Sequence, residues 1–208
     1  DRAGLVGEDG PTHSGNYDLV YMRCVPNMVI AAPADENETV LLLNTALKHK
    51  GPAAVRYPRG SGPNVEVTAT SEDVPIGQSR KIKEEKNHIA ILNFGSLLHI
   101  AEELAEKFNA SLFDMRFVKP IDEELIKKLS STHELLVTLE ENTVLGGAGS
   151  AVLEVISSNG IKIKTMSIAI PDSFIQQDSP NKMREVSGLT RDQILGAIRS
   201  KLTEISNP

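Results

Sequence analysis

Two short apolar runs, residues 28–32 and 53–57, flank a stretch of helical periodicity, and this order constrains the fold more than any other feature of the chain. The first run ends at Pro33, as suits a buried strand. Asp35 and Glu38 follow at the spacing of an N-cap and its N3 partner, close to a capping box. Behind them Val40, Leu43, Ala46 and Leu47 share one helical face. Gly51-Pro52 stops the helix and the second apolar run begins. Strand, helix and strand over residues 26–60 predict a β-α-β crossover, and so a parallel pair of strands.

The flanking segments extend this reading. Residues 1–25 are rich in glycine and polar groups and read as loop, with a short helix over 17–23. Residues 61–75 hold glycine, two prolines and small polar groups without periodicity, which marks them as a linker between residues 1–60 and 76–208. Beyond it, 77–83 reads as an edge strand whose Lys81 and Lys83 discourage further pairing. Strands are expected at 88–94, 111–115, 135–139 and 161–168, and helices at 97–108, 122–129, from Gly146 through Ile156, and 191–202. Alternation of this kind predicts an α/β fold with a mostly parallel sheet.

Composition narrows the function classes. A net charge of -6 over 208 residues lacks the basic face of a nucleic-acid binder. No apolar run is long enough for a membrane span, and no signal peptide is recognisable. The single cysteine, Cys24, cannot form an internal disulfide and reads as a small packed thiol. A cytosolic chain is expected. It opens on Asp1-Arg2-Ala3-Gly4, without an initiator methionine, and reads as a piece of a longer polypeptide.

Several segments could carry chemistry. Gly146-Gly147-Ala148-Gly149 looks like a phosphate cradle, but the third glycine of a dinucleotide fingerprint is replaced by Val152 and no P-loop lysine follows. A glycine turn that permits close packing is the better reading. Asp9-Gly10-Pro11-Thr12-His13 places a carboxylate and an imidazole on one loop. A carboxylate near imidazole orients the ring and favours its charged form; the bland alternative is a turn-capping Asp and a merely exposed His. Arg56-Tyr57-Pro58-Arg59-Gly60 lies at the carboxyl end of an expected strand, where open α/β sheets bind ligands. Guanidinium forks fit phosphate, and Arg2 offers another; two surface salt bridges would explain the arginines equally well. Glu140-Glu141 reads as a solvated strand end or subunit contact. His49, His88, His99 and His133 show no metal-ligand spacing.

The motifs together carry a resemblance. D-R-A-G (1–4), G-E-D-G-P-T-H (7–13), P-N-M-V-I-A-A-P-A-D-E-N-E (26–38), G-P-A-A-V-R-Y-P-R-G (51–60), D-M-R-F-V-K-P (114–120), E-E-N (140–142) and G-G-A-G-S (146–150) resemble the thiamine-diphosphate-dependent transketolase family. Within it they look like the 1-deoxy-D-xylulose-5-phosphate synthase branch. The resemblance implies that residues 1–60 end a parallel-sheet pyrimidine-binding domain. Residues 76–208 would form the transketolase C-terminal domain, which shares a homodimer interface. It implies a transferase reaction at the head of isoprenoid and thiamine biosynthesis, in which pyruvate and glyceraldehyde 3-phosphate condense with loss of carbon dioxide. Carried over by position, Arg2 and Arg59 match the family's clamp on the acceptor phosphate, and Asp9 and His13 match its catalytic loop. The motifs for thiamine diphosphate and Mg2+ have no match here and are expected in an N-terminal portion of the same enzyme, in a bacterial cytosol or a plastid. Rival expectations are a transketolase, the beta subunit of a 2-oxo acid dehydrogenase, or a non-catalytic dimerisation fragment.

Overall fold

The crossover is present. In the computed structural model, which describes residues 1–85 and 88–207, strand β1 (Val29–Ala31) pairs in parallel with β2 (Ala53–Val55) across helix α2 (Glu36–Lys48). Asp35 caps α2, its side chain accepting from the Glu38 amide at 2.8 Å. Ahead of them stand a 3-10 turn at Gly7–Asp9 and helix α1 (Asp18–Arg23). Cys24, expected to be packed, is exposed just past the end of α1.

After the crossover come β3 (Arg80–Lys83), β4 (Ile89–Phe94), α3 (Leu98–Phe108), β5 (Ser111–Asp114), β6 (Phe117–Lys119) and α4 (Glu123–Thr132). The chain continues through β7 (Leu135–Thr143), α5 (Ala148–Ser158), β8 (Lys164–Ile170), α6 (Pro180–Val186) and α7 (Arg191–Ser206). The larger sheet has the order β3-β5-β4-β7-β8, with β3 antiparallel at one edge and the other pairings parallel. Its central strands are buried on both faces, as parallel sheets covered by helices are. Side-chain alternation divides the core. Ile89, Ile91, Val137 and Leu139 meet α3 and α7, while Ala90, Leu92, Phe94 and Leu136 meet α4 and α5.

Two departures have clear causes. Strand β6, absent from the periodic pattern, adds antiparallel to β1, so the smaller sheet runs β2-β1-β6 and is mixed rather than purely parallel. Three residues are too few for alternation to show. The second departure is on α2, where the apolar face read from the sequence is not the buried one. Glu38, Leu42 and Thr45 face inward, whereas Leu43 and Leu47 are 47% and 76% exposed. With β2 at its edge, the small sheet covers only one flank of the helix.

The buried Glu38 anchors an ionic joint between the two sheets. Arg116, from the turn between β5 and β6, grips it with Nε at 2.7 Å and Nη2 at 2.8 Å. Arg80 of β3 reaches Glu38 at 3.3 Å, Asp35 at 3.4 Å and Asp114 at 3.0 Å. Three carboxylates therefore share two guanidiniums. Burial pushes the Asp114 carboxyl up to about 7, outweighing the pull of Arg80. The folded state then binds a proton that the unfolded chain has released, so stability from this group is present at acid pH and lost as pH rises toward 7. Relative to the parent chain, Asp114→Asn is expected to gain stability between pH 4 and pH 8. The gain should reach a few kcal/mol, each pKa unit corresponding to about 1.4 kcal/mol. Denaturant unfolding of both chains across that range checks this; parallel pH curves would refute it.

Candidate active site

The site begins with an unusual backbone. Arg2 adopts a φ of +65°, a region non-glycine residues seldom occupy, and Gly4 a φ of +75°. Hydrogen bonds fix this path on both sides. The Ala3 amide donates to the Tyr57 carbonyl at 2.9 Å, Gly4 to Gly15 at 3.0 Å, and Gly15 back to Arg2 at 2.8 Å. The N-terminal segment is thereby laid against the loop that follows β2.

Arg2 and Arg59, distant in sequence, meet there on one carboxylate. Arg2 Nε donates to Asp9 Oδ2 at 3.0 Å, and Arg59 Nε stands 2.8 Å from the same oxygen. The Arg2 hydrogen bond, aided by the charge of Arg59, holds the Asp9 carboxyl below the usual carboxylate range. Arg2 Nη1 also pairs with Asp1 Oδ2 at 2.8 Å, so the two guanidiniums here meet two carboxylates. His13 adds a smaller electrostatic pull on Asp9. Its ring is exposed and its Nδ1 lies 3.0 Å from Thr12 Oγ1, while the hydrogen bond and ion pair at Asp9 Oδ2 come from the two arginines.

Arg59 also borders a cavity of about 650 Å³, with Tyr57 and Gly60 on its own loop and Ser96, His99 and Arg184 opposite. A wider cleft of about 1010 Å³ opens near Asn27 and Pro120, but two of its lysines are engaged. Lys48 pairs with Asp73, and Lys119 donates to the carbonyls of Arg23, at the end of α1, and of Val25, just beyond it.

Arg56, three residues before Arg59, has a different place. It is buried, with Nε 2.7 Å from Asp18 Oδ2 and Nη2 donating to the carbonyls of Gly15 at 2.6 Å and Glu141 at 3.0 Å. Asn142 supports the same corner, its Nδ2 donating to Asp18 Oδ1 at 2.9 Å.

Glu140 and Glu141 are buried too, which corrects the reading of a solvated strand end. Strand β7 runs on through Thr143, carrying both glutamates inward. Glu140 accepts from the amides of Ala148 and Gly149, each at 2.7 Å, and so caps α5. A Cβ on Gly149 would lie 2.8 Å from both Ser167 Oγ and Thr138 Oγ1, so this glycine run serves close packing. The amides that might have cradled a phosphate hold a carboxylate of the protein itself. Arg184, on the unanticipated helix α6, and Glu141 escaped the sequence reading as partners. The only signal was three polar residues, Glu140 to Asn142, ending an apolar strand.

Comparison with known proteins now decides the family. The model of the transketolase pyrimidine-binding domain matches residues 1–64, and that of the transketolase C-terminal domain matches residues 77–194, more than half of the chain. The chain belongs to the transketolase family. Curated transketolase-family relatives include the 1-deoxy-D-xylulose-5-phosphate synthase of Nitrosospira multiformis, 50% identical over 97% of this chain and 33% of its own length. That of Hahella chejuensis is 46% identical over 99% of this chain and 32% of its own. The chain thus spans about a third of the length of the curated relatives it matches. A solved split-gene transketolase, described as an inactive β4 tetramer, is 31% identical with a TM-score of 0.84, covering 97% of this chain and 66% of that one. The transketolase of Campylobacter jejuni shares the fold, with a TM-score of 0.66 at 18% identity over 95% of this chain and 30% of its own.

Proposed function

We propose that this chain is part of a 1-deoxy-D-xylulose-5-phosphate synthase and supplies its acceptor-phosphate site. The convergence of Arg2 and Arg59 on Asp9 beside an open cavity carries the reading. Asp9 aligns both guanidiniums through their Nε atoms; Arg59 then turns toward the phosphate of glyceraldehyde 3-phosphate from the cavity wall, and Arg2 joins it by giving up its Nη1 contact with Asp1 at 2.8 Å. His13, exposed on the same loop, donates to an oxygen of the substrate. Near identity of half the residues with the curated synthases supports the choice of pyruvate as the other substrate.

Among the described residues no group of three or more His, Cys, Asp or Glu side chains could hold a metal ion. The glycine turn before α5 is filled by Glu140. These residues do not make a diphosphate–metal site, so thiamine diphosphate and Mg2+ are assigned to the remaining portion of the enzyme. Residues 1–60 would complete the pyrimidine-binding domain, 61–75 link, and 76–208 form the C-terminal domain of a cytoplasmic or plastid homodimer. Among the described residues no helix is long and apolar enough to cross a membrane. The open flank formed by Leu43, Leu47, Ala53 and Tyr57 is where the remaining portion would cover α2 and β2.

The full-length polypeptide is expected to make 1-deoxy-D-xylulose 5-phosphate from pyruvate and glyceraldehyde 3-phosphate. Residues 1–208 alone are expected to show neither turnover nor micromolar affinity for thiamine diphosphate with magnesium. Product analysis and calorimetric titration test the two halves. Failure of the full-length polypeptide to form this product would end the assignment, and tight cofactor binding by the fragment would end the division of labour.

A further inference from the structure

We propose that Glu141 is a positioning residue for the acceptor-phosphate site: it is the wall that holds Arg2, and through Arg2 the clamp, in place. The inference rests on the clamp reading above and adds a residue from the far side of the 61–75 segment. Glu141 is only 3% exposed, and both of its carboxylate oxygens are pinned. Oε1 accepts from Arg184 Nε of α6 and Oε2 from Ser96 Oγ ahead of α3, each at 3.0 Å. A side chain tied from two elements cannot swing aside.

The Arg2 loop is packed directly on that wall. A Cβ on Gly4 would stand 2.7 Å from Glu141 Cβ and 2.8 Å from its Oε2, so only glycine can pass at this point. The backbone of Glu141 takes part as well. Its carbonyl accepts from Arg56 Nη2, and the same nitrogen donates to the Gly15 carbonyl. Gly15 in turn is bonded to Arg2 and Gly4. Arg2 is therefore confined by Gly15 on one side and by Gly4 against Glu141 on the other. Its φ of +65° persists only while such confinement lasts. With the wall gone, Arg2 would relax toward an ordinary backbone conformation, its Nε would leave Asp9, and Asp9 would no longer align Arg59.

A carboxylate that merely anchored α6 would weaken the whole enzyme without regard to the acceptor. The clamp role instead makes the defect specific to phosphate. In the full-length enzyme, Glu141→Ala is expected to raise KM for glyceraldehyde 3-phosphate about tenfold and to change kcat far less. Use of D-glyceraldehyde, which lacks the phosphate, should change less than about twofold. Glu141→Gln preserves the shape and one acceptor, and should recover most of the loss. Combined with Arg59→Ala, Glu141→Ala should add almost nothing for the phosphorylated acceptor, because both changes disable one device. Should Glu141→Ala fail to fold, Ser96→Ala removes one of the two tethers and is expected to show the same selectivity at smaller size.

Additive losses in the double variant, or equal slowing with both acceptors, would overturn the proposal. Its failure is separable from failure of the clamp itself. If Arg59→Ala discriminates the two acceptors and Glu141→Ala does not, Glu141 is a structural anchor and the clamp stands. If Arg59→Ala does not discriminate them, the clamp reading falls and this inference with it.

Discussion

Arg59→Ala in the full-length enzyme is expected to lower kcat/KM for glyceraldehyde 3-phosphate about 10- to 100-fold or more. A hydrogen bond to a charged group contributes roughly 1.5–3 kcal/mol, and a guanidinium offers two such bonds to one phosphate. The side chain is well placed for the task. It is 46% exposed, anchored by Nε to Asp9, and borders the cavity opposite Arg184. Arg59→Lys keeps the charge but loses the planar fork and the alignment by Asp9, so only partial recovery is expected. The decisive control is D-glyceraldehyde, which parent and variant should use almost equally. Pyruvate decarboxylation in a single turnover should also change little, since pyruvate carries no phosphate. Equal slowing with both acceptors would mean that Arg59 supports the fold or the chemistry instead.

How much of this could be read from the residues alone follows from physics. The crossover was legible because Asp35, the apolar runs and Gly51-Pro52 are all local signals, each acting within a few residues. The middle of the large sheet was legible for the same reason, since β4, β5 and β7 are built around apolar residues buried on both faces. Strand β6 was not, because Phe117–Lys119 is a strand only by virtue of meeting β1, a contact that no window of sequence contains. The exposed Leu43 and Leu47 misled for a related reason. Periodicity reports which face is apolar, but not which neighbour is present to cover it.

The site divided along the same line. Arg2, Asp9 and Arg59 could be nominated from residue type and family motif, and the structure joins them. What residue type does not reveal is that both arginines meet Asp9 at one oxygen, while His13 acts on it only through its charge. Arg56 and Glu141 could not be told from surface charges. What distinguishes them is burial, and burial of a charge depends on partners far away in sequence: Asp18 for the arginine, Ser96 and Arg184 for the glutamate. In each case the long-range partner converts a residue type that belongs in water into one that belongs inside.

Arg56→Ala is expected to act in a different way from Arg59→Ala, although only two residues separate the positions. Arg56 is a strut between the N-terminal segment and β7, its side chain 6% exposed against 18% for Asp18. Truncation removes the donor from Asp18, from the Gly15 carbonyl and from the Glu141 carbonyl at once. Among the described residues, Asn142 would remain to bond the Asp18 carboxylate, through a hydrogen bond of 2.9 Å. Breaking a buried ion pair from one side costs about 3–5 kcal/mol, because the surviving charge stays in a poorly solvating place. Against a typical domain stability of roughly 5–15 kcal/mol, that is a large fraction. Arg56→Lys should rescue little, since one ammonium cannot span the Asp18 carboxylate and two carbonyls. The variant should therefore unfold at clearly lower denaturant, and its activity should fall for phosphorylated and unphosphorylated acceptors alike. Thermal or urea unfolding of the parent, Arg56→Ala and Arg59→Ala side by side is the measurement. Arg59→Ala should stay close to the parent, because its exposed ion pair with Asp9 contributes little to the fold. If instead Arg56→Ala melts with the parent and discriminates between acceptors, Arg56 belongs to the clamp, and the strut assignment is wrong.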